Sequence, residues 1–138
     1  RRRAWTVAMD NRVALPGYKV YEDRSGRRPP VLVAFLDLVV DASAFVEGGL
    51  LRVDADMLGA LDRRERQYRR VEVTDRVEGL PPRARVWTYV GRAHSRLRVH
   101  RAGAPIVVHD AYARAAAAAG APPPPFPVRP LRRVDLPR

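Results

Sequence analysis

The most apolar run of the chain, residues 31–40, constrains the fold more than any other segment. Asp37 is its only charged residue, and valine and leucine supply most of the rest. A run of this kind, preceded by two prolines and closed by Asp-Ala-Ser, predicts a central strand buried on both faces. Because a buried carboxylate needs hydrogen bonds, we interpret Asp37 as a hydrogen-bonded structural residue at the end of a barrel.

Five other short segments predict further strands. Residues 5–9 place Trp, Val and Met on one side of a half-buried strand, and residues 18–21 form a short extended piece. Residues 45–53 predict another strand, with a glycine pair that indicates a bulge. Residues 68–73 and 85–90 predict the two partners of a hairpin, because apolar and aromatic side chains alternate along the second.

Two segments predict helices. The first covers residues 54–67, where the Asp54 side chain can cap the free N–H groups of the first turn. The second covers residues 106–119, with Tyr112 near its middle and Gly120 after its end.

Together these elements predict an α+β fold, in which a small mixed or antiparallel β-barrel packs with one or two helices. We expect one domain over residues 1–120. Proline and arginine are frequent in residues 121–138, which we interpret as an extended C-terminal arm.

The composition excludes several kinds of chemistry. The chain of 138 residues has no cysteine, so disulfides, thiol catalysis and thiolate metal sites are excluded. Its apolar runs are too short to cross a bilayer and nothing resembles a signal peptide, so we expect no membrane partner and a cytoplasmic location. Three histidines (His94, His100 and His109) lack helical spacing and partner carboxylates, so we expect no metal.

The net charge of +11 does not by itself indicate a nucleic-acid partner. Of the 26 basic residues 25 are arginines and only Lys19 is a lysine, which is typical of the amino-acid bias of a GC-rich genome. The chain also lacks an RNP-like aromatic pattern and zinc-finger spacing. We therefore expect no specific nucleic-acid partner, although weak binding at low salt is compatible with the charge.

The best catalytic candidate is Glu65. Leu58 and Leu61 mark an apolar stripe on the first helix, and the next position of that stripe is Glu65. A carboxylate on the buried side of a helix is costly unless it is paired or hydrogen-bonded. The structural alternative is an ion pair with Arg69, four residues on, or a solvated last helical turn. The spacing alone favours that alternative.

Several motifs of the chain together resemble the γ-glutamylcyclotransferase family. A strand enters a helix that ends in Leu-Asp-x-x-Glu, a strand containing Tyr-x-Arg follows, and a later strand ends in Tyr-Val. The upstream segment from Arg2 to Asn11 is similar to a bacterial branch of the family. In this sequence the motifs are FVEGGLLRVD (45–54), LGALDRRE (58–65), QYRRVEV (67–73) and VWTYV (86–90).

The resemblance implies a function and a site. Glu65 matches the catalytic glutamate of the family, which closes a γ-glutamyl group to 5-oxoproline and releases an amine or amino acid. One desolvated carboxylate can serve as both base and acid in this reaction, and no cofactor is needed. Tyr68 and Tyr112 are candidates to bind the small γ-glutamyl substrate. For each tyrosine the alternative is a packed aromatic ring with a bonded hydroxyl.

One family motif is absent from the sequence. Family members normally begin with a strand leading into a Tyr-Gly-Ser loop, whose backbone N–H groups hold the substrate, and no Tyr-Gly-Ser occurs here. In family order it would precede Arg1, so the first strand and glycine loop are missing from these residues, which we interpret as a piece of a longer protein. The alternative function is a non-catalytic small-molecule binding module on the same scaffold.

Overall fold

A computed structural model describes residues 1–100 and 103–138 of the protein. Over those residues the chain forms eight strands, two α-helices and three short 3₁₀ turns. The helices are α1 (Ala55–Arg64) and α2 (Asp110–Ala118). The strands are β1 (Arg2–Asp10), β2 (Lys19–Glu22), β3 (Leu32–Val39), β4 (Tyr68–Glu72), β5 (Trp87–Gly91), β6 (Ile106–His109), β7 (Val128–Arg129) and β8 (Arg132–Asp135).

Strand β3 lies inside the four-stranded sheet β1-β3-β6-β7. It pairs antiparallel with β1 over its whole length, but parallel with β6 only through Leu32 and Val33. Val33 and Phe35 pack into one hydrophobic cluster and Ala34 into a second, so both faces of the strand are buried. The predicted central strand is therefore confirmed.

Asp37 lies in β3 and is only 4% exposed. Its Oδ1 accepts hydrogen bonds from the backbone N–H groups of Leu38 and Gly91, both at 2.7 Å. The second bond joins β3 to β5, which lies in a different sheet. The interpretation of Asp37 as a hydrogen-bonded structural carboxylate is confirmed, although it closes no barrel.

Strand β1 contains a bulge that the sequence pattern did not indicate. Its pairing with β3 shifts between Trp5 and Val7, so that Thr6 has no partner in the ladder. An extra residue reverses the direction of the side chains that follow it. Val7 and Met9 therefore join one hydrophobic cluster while Trp5 joins the other. The prediction that all three lie on one side was wrong.

The helix and hairpin that follow agree with their predictions in type. The Asp54 side chain caps α1 by accepting a hydrogen bond from the Met57 N–H at 2.8 Å. The helix ends at Arg64, earlier than the predicted residue 67, and none of its residues is fully buried. Strands β4 and β5 pair antiparallel, as the predicted hairpin requires.

Residues 45–53 do not form the predicted strand. They have no regular structure, and Phe45, Leu50 and Leu51 are exposed. A strand needs a partner for its backbone groups, and no strand of the described residues pairs with this segment. Gly48 and Gly49 further weaken an extended conformation, since glycine loses much conformational freedom on folding.

The predicted helix over residues 106–119 divides into two elements. Ile106–His109 is strand β6, and only Asp110–Ala118 is helical. The β-branched residues at the start of the segment are typical of a strand, and their pairing with β3 outweighs the helical pattern of the alanines that follow.

The strands do not close into the predicted barrel. In the described residues they form three sheets, one of four strands and two of two strands (β2-β8 and β4-β5). The C-terminal segment, residues 121–138, is extended and contributes β7, which pairs with β6, and β8, which pairs with β2. The fold is therefore α+β, with the tail paired to the body of the molecule.

Gly91 offers a test of the contact between β3 and β5. A Cβ atom at this position would lie 2.6 Å from Val7 Cγ2 and 2.7 Å from Asp37 Oδ2. Since both neighbours are buried, we expect Gly91→Ala to lower the free energy of unfolding by roughly 1–3 kcal/mol. Urea unfolding followed by circular dichroism measures this loss.

The matched control is Gly48→Ala. Gly48 lies in the exposed segment 45–53 and has no atom within 4 Å of a Cβ added there. We expect it to leave the unfolding midpoint nearly unchanged. Equal midpoints for the two variants would contradict the packing described for Gly91.

Candidate active site

A pocket of about 560 Å³ lies between β2, β3, the end of α1, the β4-β5 hairpin, α2 and β8. All three site residues predicted from the sequence line it: Glu65, Tyr68 and Tyr112. The hairpin and α2 supply the two tyrosines, and the residue after α1 supplies the carboxylate. The structure thus brings together residues that are up to 47 positions apart in the chain.

Glu65 reaches the pocket because α1 ends immediately before it. Its backbone N–H donates to Leu61 O at 2.9 Å, and its own carbonyl accepts from the Tyr68 N–H at 3.0 Å. With ψ of 53° the chain leaves helical geometry at this residue, and Glu65 lines the pocket whereas Leu58 and Leu61 line a different cavity. The backbone on both sides therefore fixes its position more firmly than a frayed helical turn would.

The Glu65 carboxylate is half-buried and pairs with a neighbouring arginine. Its Oε1 accepts from Arg64 Nε at 2.9 Å and also lies 2.9 Å from the second guanidinium nitrogen. The predicted alternative, an ion pair with Arg69, does not form, because Arg69 belongs to β4 rather than to the helix. No hydrogen bond to Oε2 is found among the described residues, which leaves that oxygen available.

The two tyrosine hydroxyls bind the same residue of β3. Tyr68 donates its O–H to Leu36 O at 2.7 Å, whereas the Leu36 N–H donates to the Tyr112 hydroxyl at 3.3 Å. Tyr68 therefore uses its proton within the fold. Tyr112 uses only its acceptor, and its own O–H stays free to donate into the pocket. Burial raises the pKa of each of the two hydroxyls, so both stay neutral near pH 7.

Lys19 is a pocket residue that the sequence analysis did not select. It lies on β2, half-buried, with Nζ at 4.7 Å from the ring centre of Phe35 and at 5.5 Å from that of Tyr18. Burial, reinforced by the positive charge of Arg133, lowers the pKa of Lys19 from 10.5 to about 8. The signal in the sequence was its identity as the one lysine among 26 basic residues.

The pocket is rich in positive charge. Five basic side chains line it, against the two carboxylates Glu65 and Asp135. Arg133 hydrogen-bonds Asp135 at 2.8 Å, and Arg66 lies over the Tyr18 ring at 5.5 Å. The arrangement can take up an anionic organic molecule, with aromatic side chains against its apolar parts.

The described residues contain no group of three or more histidines and carboxylates that could hold a metal ion. Within the same residues, no helix combines the length and apolar character that a membrane span requires. His109 lies against the ring of Tyr21, which lines the pocket, and burial lowers the pKa of His109.

The fold and the pocket define a small α+β domain with a carboxylate and two tyrosines around one cavity. A family model described as Gamma-glutamyl cyclotransferase, AIG2-like, matches residues 3–112, which contain all three of these side chains. The match covers well over half of the chain, and the protein therefore belongs to this family, as the motifs implied. Searches of curated proteins and of solved structures returned no significant match.

The hydroxyl of Tyr68 provides a test of the site's framework. Tyr68→Phe removes the donor to Leu36 O and leaves a half-buried carbonyl without a partner. We expect a loss of roughly 1–3 kcal/mol in the free energy of unfolding, since an unsatisfied acceptor costs more than a hydrogen bond gains. Chemical denaturation measures this loss, and unchanged stability would show that the bond is not needed.

The position of Lys19 predicts a gain in stability on its removal. Folding lowers the Lys19 pKa, so the charged form destabilises the fold below pH 8 and this cost declines as the pH rises toward 10.5. We expect Lys19→Met to raise Tm at pH 7 by about 3–5 °C, roughly 1 kcal/mol for this chain length, with a smaller gain at pH 10.

The control for this measurement is Arg24→Met, which removes one positive charge from an exposed loop. We expect its Tm to match the parent at both pH values. A lower Tm for Lys19→Met would mean that its aromatic contacts outweigh the cost of its burial.

Proposed function

We propose that the protein catalyses the cofactor-independent cyclisation of a γ-glutamyl compound to 5-oxoproline, with release of an amine or amino acid. Family membership supports this class of reaction. The observation that carries the proposal is the position of Glu65, whose carboxylate faces the same pocket as Tyr68 and Tyr112 and keeps one oxygen free. Those three residues were candidates on sequence grounds, and one cavity contains them all.

The reaction is an intramolecular transfer of an acyl group. The α-nitrogen of the substrate attacks the γ-carbonyl carbon, a ring C–N bond forms, and the C–N bond to the leaving amine breaks. The α-amine is protonated in water near pH 7, so it must lose its proton before it attacks. The leaving nitrogen must gain a proton as it departs. On ring closure the α-nitrogen loses a second proton to become the lactam N–H, and at pH 7 the released amine holds a second proton as an ammonium ion. One group that takes both protons in turn and returns each to the leaving nitrogen completes the cycle.

Glu65 is the group that we assign to this proton transfer. Because Arg64 occupies Oε1, the base acts through Oε2. The backbone bonds to Leu61 and Tyr68 hold the residue at the end of α1, so the carboxylate approaches the substrate from a fixed direction. After both protons have passed in turn to the leaving nitrogen, Glu65 is again a carboxylate and no other reagent has been consumed.

Tyr112 has a second role in the proposal. Negative charge develops on the γ-carbonyl oxygen during the attack, and a preorganised donor lowers the barrier. The hydroxyl of Tyr112 accepts from the Leu36 N–H and keeps its own proton for such a bond. Tyr68 is excluded from this role because its proton is already donated to Leu36 O. Tyr68 instead forms part of the pocket wall.

The Glu65 assignment is tested by the substitution Glu65→Gln. We expect kcat/KM for 5-oxoproline formation from a panel of γ-glutamyl compounds to fall by about 10²–10⁴-fold, because the amide cannot take a proton. Chromatography of 5-oxoproline measures turnover. The matched control is Glu78→Gln in the exposed turn after β4, which should retain full activity. Undiminished turnover by Glu65→Gln would contradict the assigned role.

Comparison of Tyr112→Phe with Tyr68→Phe tests the different roles that we propose for the two hydroxyls. We expect kcat to fall by about 10- to 100-fold on loss of the free donor, with KM little changed. Tyr68→Phe removes the hydrogen bond to Leu36 O, so we expect its free energy of unfolding to fall while its kcat falls less than that of Tyr112→Phe. Equal losses of kcat in both variants would contradict the distinct roles proposed for the two hydroxyls.

A non-catalytic binding module is the second candidate function. The observation that favours it is the ion pair between Glu65 and Arg64, which engages part of the carboxylate without substrate. A binding module would be stabilised by γ-glutamyl compounds and form no 5-oxoproline. Ligand-induced shifts in Tm, measured on the samples used for turnover, distinguish the two functions.

A further inference from the structure

The ammonium group of Lys19 faces the pocket without a partner carboxylate. Within residues 1–100 and 103–138, no carboxylate oxygen lies within 4.0 Å of Nζ. Three aromatic rings lie near it, with centres at 4.7 Å for Phe35, 5.5 Å for Tyr18 and 6.0 Å for Tyr21. Aromatic faces attract a cation, but they compensate only part of the cost of removing it from water.

Of the other four basic side chains that line the pocket, two are paired with carboxylates, and the remaining two, Arg63 and Arg66, are exposed to solvent. On β8, Arg133 hydrogen-bonds Asp135, and beside α1, Arg64 pairs with Glu65. Arg66 lies against the Tyr18 ring. Among the described residues, Lys19 is therefore the half-buried cation of the pocket that has no partner carboxylate. A bound anion would neutralise its charge.

We propose that Lys19 binds a carboxylate on the leaving side of the substrate, so that the enzyme prefers γ-glutamyl amino acids and peptides to γ-glutamyl amines. This inference rests on the proposed cyclisation and adds a substrate class to it. A γ-glutamyl compound carries an α-ammonium and an α-carboxylate, which cancel. A leaving amino acid adds one negative charge, whereas a simple amine adds none and a polyamine adds positive charge.

The α-carboxylate of the substrate has a different neighbour. It is two bonds from the amine that Glu65 deprotonates, so it must lie close to Glu65. The guanidinium of Arg64 lies there, 2.9 Å from Glu65 Oε1. Lys19 lies on β2 beside the rings of Tyr18 and Phe35, and it forms no ion pair with Glu65. The ammonium of Lys19 is thus left for the second carboxylate.

The charge of Lys19 changes within an accessible pH range. Its pKa of about 8, lowered mainly by burial and further by Arg133, means that the ammonium form declines as the pH rises from 7 to 9. The other titratable or charged groups near it are Tyr18, Tyr21, Arg64, Arg133, Glu65, Asp135 and His109, and burial lowers the pKa of His109 below its usual value. Burial raises the pKa of Tyr18 and raises that of Tyr21 to about 12, so neither competes in this range.

Two substrates that differ only in the second carboxylate test the proposal. They are γ-glutamyl-glycine and γ-glutamyl-glycinamide, assayed with the wild type, Lys19→Gln and the control Arg24→Gln. We expect the wild type and Arg24→Gln to prefer γ-glutamyl-glycine at least tenfold in kcat/KM at pH 7. Lys19→Gln should lose at least tenfold more on γ-glutamyl-glycine than on the amide.

The pH dependence gives an independent readout. The preference of the wild type for γ-glutamyl-glycine should fall as the pH rises from 7 to 9, whereas in Lys19→Arg, whose charge does not titrate there, it should persist. No preference in the wild type would overturn the proposal. Equal losses on both substrates in Lys19→Gln would also overturn it, since they would place Lys19 at the α-carboxylate or give it a structural role.

Binding of unreactive analogues separates this inference from the proposed function. Glutaryl-glycine and glutaryl-glycinamide lack the α-amine and cannot cyclise. Calorimetry should show tighter binding of glutaryl-glycine to the wild type, and loss of that difference in Lys19→Gln. If this holds while no γ-glutamyl compound yields 5-oxoproline, the carboxylate subsite stands and the cyclisation fails. If 5-oxoproline forms but the analogues bind equally, the subsite fails and the cyclisation stands.

Discussion

The rest of the structure is arranged around the backbone hydrogen bonds of strand β3. Its backbone is buried on both faces, so each of its N–H and C=O groups needs a partner. Strand β1 supplies partners along one edge, but on the other edge β6 pairs only with Leu32 and Val33. Beyond that point the edge is completed by side chains. The hydroxyls of Tyr68 and Tyr112 bind the backbone of Leu36, and the Asp37 side chain reaches Gly91 of β5.

The pocket forms where the backbone of β3 changes from pairing with β6 to hydrogen bonds with tyrosine side chains. Where β6 no longer pairs with β3, the hairpin and α2 approach the strand through long aromatic side chains rather than through backbone ladders. The space between them is the cavity, and the groups that complete the β3 edge are also part of its wall. The hydrogen bonds that stabilise the fold thereby determine which tyrosine still has a proton to donate.

Sequence patterns predicted the elements whose evidence is local. The apolar run of β3, the Asp54 cap of α1 and the hairpin partners all depend on neighbouring residues, and each is confirmed. Two segments were assigned wrongly because their structure depends on a partner far away in the chain. Residues 45–53 have no partner strand among the described residues and are irregular, whereas residues 106–109 pair with β3 and form a strand. The bulge at Thr6 likewise becomes visible only in the register with β3.

The candidate site was predicted only in part, because its geometry also depends on residues that are distant in the chain. Helical spacing selected Glu65 but placed it on the buried face of a continuing helix, whereas α1 ends at Arg64 and the carboxylate turns into the pocket. Whether a tyrosine keeps its proton depends on Leu36, more than 30 positions from either ring in the chain. No local pattern contains that information.

The one lysine of the chain has a physical reason to be a lysine at this position. An arginine would keep its charge at any accessible pH and would spread five donors over a planar group. An ammonium is compact, fits between the rings of Phe35 and Tyr18, and loses its charge more easily when it is buried. In a chain that uses arginine at 25 of 26 basic positions, this exception lies where a cation is costly to the fold. A cost of that kind persists in proteins mainly at positions that serve binding or catalysis, which is the reason to look for the ligand of Lys19.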